Sequence, residues 1–60
     1  MQKLEDLLLA RRTLEDARTQ LSYLRRHSLI DDREYQAAMA ALATAIAKVT
    51  AAVNDQLLVR

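Results

Sequence analysis

The sequence predicts an all-α fold: an antiparallel two-helix hairpin, one domain spanning residues 1–60, that pairs with a second copy as a four-helix bundle. Three observations predict it. The 60 residues contain no Gly, Pro, Phe or Trp, so they lack the usual punctuation of strands and tight turns. Apolar residues recur at alternating spacings of three and four along two long segments, the period of a helix packed on a helix. One polar interruption, Arg25 to Tyr35, separates the segments and carries the signals of a helix end followed by a helix start.

The first helix is expected over 3–26. Leu7, Ala10, Leu14, Ala17, Leu21 and Leu24 form a heptad seam, with Leu7, Leu14 and Leu21 at one core position and Ala10, Ala17 and Leu24 at the other. Arg11, Arg18 and Arg25 flank the seam at seven-residue intervals, Glu15 lies one turn from Arg11, Arg12 and Arg18, and Asp16 lies one turn from Arg12. Such i,i+3 and i,i+4 pairs contribute about 0.2–0.5 kcal/mol each. Leu4, Leu8 and Leu9 exceed what one seam requires, since Leu7, Leu8 and Leu9 together sweep roughly 200° of the helix at 100° per residue. Burial in a dimer or service as a docking patch for another protein would each account for them.

The turn is expected at 27–31. Arg25, Arg26 and His27 place cations where a helix C-terminus favours them, which gives His27 a terminal rather than a catalytic role. Asp31 followed by Glu34 is a capping box, and Ile30 with Tyr35 occupies the two positions of a hydrophobic staple. Leu21-x-x-Leu24, the polar turn, Ile30-Asp31-Asp32-Arg33-Glu34-Tyr35 and Leu42 resemble the short helical hairpin of the SHOCT family over about a third of the chain. Members of that family usually place Gly in the turn, where this chain has His27-Ser28-Leu29. The resemblance implies an oligomerising or protein-contacting module and brings no catalytic residue with it.

The second helix is expected over 32–58. Its seam is Tyr35, Met39, Leu42, Ile46, Val49 and Val53, beside a second stripe of Ala38, Ala41, Ala45 and Ala52; two stripes imply more than one partner helix. Ala37, Ala40, Ala43, Ala47 and Ala51 suit an exposed face of high helix propensity. Folding one segment back on the other brings together residues whose numbers sum to about 60, so Leu24 meets Tyr35, Ala10 meets Val49 and Leu7 meets Val53. Leu4 and Leu8 then lie near Leu57 and Leu58 at the end that holds both termini.

A core of this size supplies only about 3–5 kcal/mol without staples, and the chain has no Cys and a single His with which to build a disulfide or a zinc site. Self-association is therefore expected, as a homodimer or a higher oligomer. The architecture is similar to that of Rop-type dimeric helical hairpins. Residues 35–47 carry no charge but fall short of the roughly 20 residues that span a bilayer, and no signal-peptide pattern opens the chain. The expectation is a cytoplasmic protein without a membrane partner.

Nine basic and eight acidic residues leave a net charge of +1, which supplies no bulk attraction to nucleic acid. No cofactor, metal ligand set or catalytic residue is indicated, since the chain has no Cys nucleophile, phosphate loop or HExxH spacing. These features point to a non-enzymatic module that binds and modulates another protein, as an inhibitor or adaptor of the phage or mobile-element type. Leu4, Leu8, Leu9, Leu57 and Leu58 are the candidate partner-binding residues. The alternative is RNA or nucleotide recognition by Arg11, Arg18 and Arg25, gathered with their symmetry mates across the oligomer.

Overall fold

The computed structural model describes residues 2–58. They form two α-helices, α1 (Gln2–Arg26) and α2 (Asp32–Leu58), which lie side by side as a hairpin with no strand among the described residues. The hairpin measures 46 × 15 × 10 Å. A helix of 27 residues at 1.5 Å per residue is about 40 Å long, so the hairpin is only slightly longer than one of its helices and the two are packed along nearly their whole extent.

The turn is built from local hydrogen bonds. Ser28 adopts φ 60°, the left-handed conformation. The Ser28 amide donates to the Arg25 carbonyl at 3.0 Å and the Leu29 amide donates to the Leu24 carbonyl at 2.9 Å. These 5→2 and 6→1 bonds are a Schellman motif with Ser28 at the position that glycine most often fills. The sequence contains no glycine to announce such a terminus, and serine carries the steric cost of a Cβ in that region.

Across the turn, the Asp31 Oδ1 accepts from the Glu34 amide at 2.7 Å, and the Glu34 Oε1 accepts from the Asp31 amide at 3.0 Å. Two of the amides that a helix start leaves unpaired are thereby satisfied reciprocally, a contribution on the order of 1 kcal/mol. The Tyr35 amide donates to the Asp31 carbonyl at 2.9 Å, the first intrahelical bond of α2. Ile30 and Tyr35, the staple positions, are both half-buried.

The Ser28 geometry sets an expected result. Ser28→Gly removes a left-handed penalty of about 1–2 kcal/mol and raises unfolded-chain entropy by about 0.4–1 kcal/mol, so a net stabilisation of about 0.5–1 kcal/mol is expected. Thermal unfolding by circular dichroism would read it as a higher midpoint. An unchanged or lower midpoint would show that the Cβ costs nothing there.

The core is thin. Every residue of the two seams is at least half-buried except Ala10, yet among the described residues Val53 alone is buried, at 4% exposure, and none is completely enclosed. Ala10 is exposed and the neighbouring Arg11 is half-buried, so at this layer the arginine is the more covered of the two. The cause is the helical period. A straight helix drifts by about 20° per heptad, and at 100° per residue Arg11 lies about 40° from Leu7 on one side and Ala10 about 60° on the other. Arginine can lay its methylene stem along the apolar groove while its charge stays in water.

The accessible surface is 4783 Å². A compact monomer of 6.8 kDa would expose about 3,950 Å², so the hairpin leaves about 800 Å² more than its mass requires. A radius of gyration of 14.0 Å against about 10 Å for a compact 60-residue domain gives the same picture.

By length and composition α2 also meets the measure of a helix able to cross a membrane. Its uncharged run of thirteen residues did not suggest this, because that run stops at Lys48. The apolar stretch resumes beyond Lys48 as far as Val53, and a lone lysine can extend its stem and carry its charge sideways.

Candidate functional site

Three groups of side chains are candidates: the arginines beside the seam, the turn, and the leucines at the open end. The arginines are not equivalent. Arg11 is half-buried, Arg18 is exposed, and Arg25 is engaged at the turn. The Arg25 Nε lies 3.0 Å from the Asp32 Oδ1, and its guanidinium carbon stands 4.7 Å from the centre of the Tyr35 ring. Tyr35 is half-buried on the inner face of α2, so Arg25 joins the end of α1 to the start of α2 through one charge pair and one ring. Each contact is solvent-exposed and contributes about 1 kcal/mol or less.

Among the described residues Arg25–Asp32 is the one ion pair within bonding distance. The i,i+3 and i,i+4 pairs drawn from the sequence between Glu15, Asp16 and Arg11, Arg12, Arg18 are left open. An exposed pair gains a few tenths of a kcal/mol, which the ordering of two long side chains offsets.

Beside the turn lies an open groove of about 470 Å³, lined by Arg25, Ser28, Leu29, Ile30, Asp31, Asp32 and Glu34. Its single cation faces three acids, two of which are committed to the capping box. A second groove, of about 320 Å³, is lined by Ser22, Arg25, Arg26 and Tyr35. Near it the His27 ring packs on the Tyr23 ring, with centroids 4.3 Å apart and planes tilted by 42°. His27 thus serves as a cap-end residue resting on an exposed tyrosine one turn earlier.

The open end differs in character. Leu8 is 41% exposed, Leu9 64%, Leu57 52% and Leu58 82%, while Leu4 is half-buried. Leu4 belongs with the seam, and the other four candidates stand in solvent. They come from the first three turns of α1 and the last turn of α2, which the antiparallel fold places at one end. Sequence reading missed two exposed apolar side chains, Tyr23 and Leu29, near the turn. Tyr23 could have been found, because it lies on the outward face in line with Leu9 and Asp16 at seven-residue intervals.

Comparison of the chain with protein-family models, with curated proteins and with solved structures finds no match.

Proposed function

We propose that the hairpin is a non-enzymatic protein-interaction module that works as a homo-oligomer and captures another protein, modulating it as an inhibitor or adaptor. The observation that carries this reading is the set of four exposed leucines, Leu8, Leu9, Leu57 and Leu58, gathered at the open end. A chain of this size that leaves four large apolar side chains in water at one end carries a cost in solubility, and a partner surface offsets that cost. The excess exposed surface and the single buried side chain among the described residues support self-association. The SHOCT-like turn points toward the same kind of role.

Two other readings draw less support. Of the three arginines proposed for anion binding, Arg25 is paired with Asp32 and faces further acids across the turn groove. As for a membrane, α2 is packed along its length against α1, which carries ten charged side chains, each costly at the depth of the hydrocarbon.

The test is a double variant, Leu8→Ser with Leu9→Ser, compared with wild type in affinity capture. Wild type is expected to retain a stoichiometric partner that the variant loses, with affinity reduced at least about thirtyfold, the equivalent of about 2 kcal/mol of apolar burial. Helix content and assembly mass are expected to stay the same. A variant that dissociates the assembly instead would assign these leucines to the oligomer core and overturn the reading.

A further inference from the structure

The half-buried strip between α1 and α2 has two edges, and they differ in chemistry. With positions taken at 100° per residue from the line joining the two helices, Leu4, Arg11, Ser22 and the exposed Glu15 and Arg18 lie toward one broad face of the hairpin. On α2 the same face receives Met39, Ala43, Thr50 and Asn54. The opposite broad face receives Ala10, Ala17 and Leu24 from α1 and Ala38, Ala45 and Ala52 from α2. Because the helices run antiparallel, the two sets of small residues fall on the same side of the hairpin. From Ala10 to Leu24 and from Ala38 to Ala52 this second face carries no charge except Lys48 at its outer edge. At the open end it turns polar, at Asp6 and Gln56.

We propose that this second face is where the hairpin receives a second copy of itself. The deduction rests on the self-association in the preceding section and adds which surface performs it. The occupant follows from dimensions. The broad face is 46 Å long and 15 Å wide, about 700 Å² before the relief of side chains, and a standard interface covers about 800 Å² per partner. The surface left over relative to a compact chain is also about 800 Å². An identical hairpin matches the face in length and width, and the stretch between Asp6 at the open end and Glu34 at the turn carries only Lys48, at its edge. Alanines on both sides let the helices approach closely, while Leu21, Leu24, Leu42 and Val49, only half-buried in the single hairpin, supply the apolar volume.

The consequence separates the two surfaces of the protein. Leu8 and Leu57 lie toward the first, polar-edged face, and Leu9 and Leu58 lie on the outward sides of their helices. Pairing through the alanine-lined face therefore leaves all four leucines uncovered for a different partner.

The chain has no cysteine, so single introduced thiols report on each face. Ala10, Ala41 and Ala43 are all exposed in the single hairpin, with Ala10 and Ala41 on the alanine-lined side and Ala43 on the other. Ala10→Cys, Ala41→Cys and Ala43→Cys are compared for their rate of alkylation by a maleimide in the native assembly, with light scattering on each. The expected result is a mass of twice 6.8 kDa, with the thiols of Ala10→Cys and Ala41→Cys protected at least about tenfold relative to that of Ala43→Cys. A dimer in which the Ala43→Cys thiol is the protected one overturns the choice of face and leaves self-association standing. Equal rates at a mass of 6.8 kDa overturn both. Loss of helix content in one variant is met by the second reporter on the same face.

Discussion

Val53→Asp is expected to abolish the folded state. Val53 is the one described side chain that is buried, at 4% exposure, and it lies near the centre of the α2 face turned toward α1. A carboxylate at that point has no partner among the apolar side chains around the seam, and an unpaired buried charge costs more than the roughly 3–5 kcal/mol that a core of this size supplies. The milder Val53→Ala is expected to cost about 2 kcal/mol per chain, through lost burial and the cavity left behind. Ala51→Asp, two residues away on the exposed face, is expected to cost less than about 1 kcal/mol, chiefly in helix propensity. Denaturant unfolding followed by circular dichroism in the far ultraviolet reads all three. A cooperative transition retained in Val53→Asp would show that the open end of the hairpin contributes little to the core.

The second large effect is on concentration. A dimer whose protomers do not fold alone loses stability on dilution, by about 1.4 kcal/mol for each tenfold. Spread over the unfolding entropy of two 60-residue chains, this lowers the melting midpoint by about 5 °C per tenfold dilution. The proposed assembly is expected to follow that slope over two decades of concentration and to lose helix content at the dilute end. A midpoint that does not move with concentration would identify a hairpin stable by itself, despite a core with one buried side chain among the described residues.

The local structure of the turn was legible where it depends on side chains a few residues apart. Asp31 and Glu34 are three positions apart and close a reciprocal pair of bonds whatever the rest of the chain does, so their spacing announced the start of α2. The end of α1 was less legible. Its left-handed residue is Ser28, and a serine in that conformation is held there by the Schellman bonds and the docking of α2 rather than by its own preference. The same limit applies to Ala10 and Arg11. A heptad drawn on paper places Ala10 inside and Arg11 at its border, whereas at 100° per residue the two lie on either side of Leu7 at similar angles, and the longer side chain reaches the groove.

The candidate leucines could be counted from the sequence, but their standing could not. Leu4 and Leu8 differ by one turn, and both were candidates for capture. In the structure Leu4 is half-buried and Leu8 is exposed, because they lie at different angles to the line joining the helices. Arg25 shows the reverse case. Its seven-residue spacing from Arg18 suggested a shared role, but its place at the end of α1 brings Asp32 and Tyr35 within reach and gives it contacts that Arg11 and Arg18 lack.

The sequence by itself determined that this chain forms two long helices joined by a capped turn, because periodicity, propensity and capping act over three to seven residues and need no distant contact. Only the tertiary structure decided which edge of the seam is apolar and which leucines remain in water. Those properties belong to a pair of antiparallel helices viewed together: a residue's side of the hairpin is set by its angle to the partner helix, and neither helix defines that angle alone.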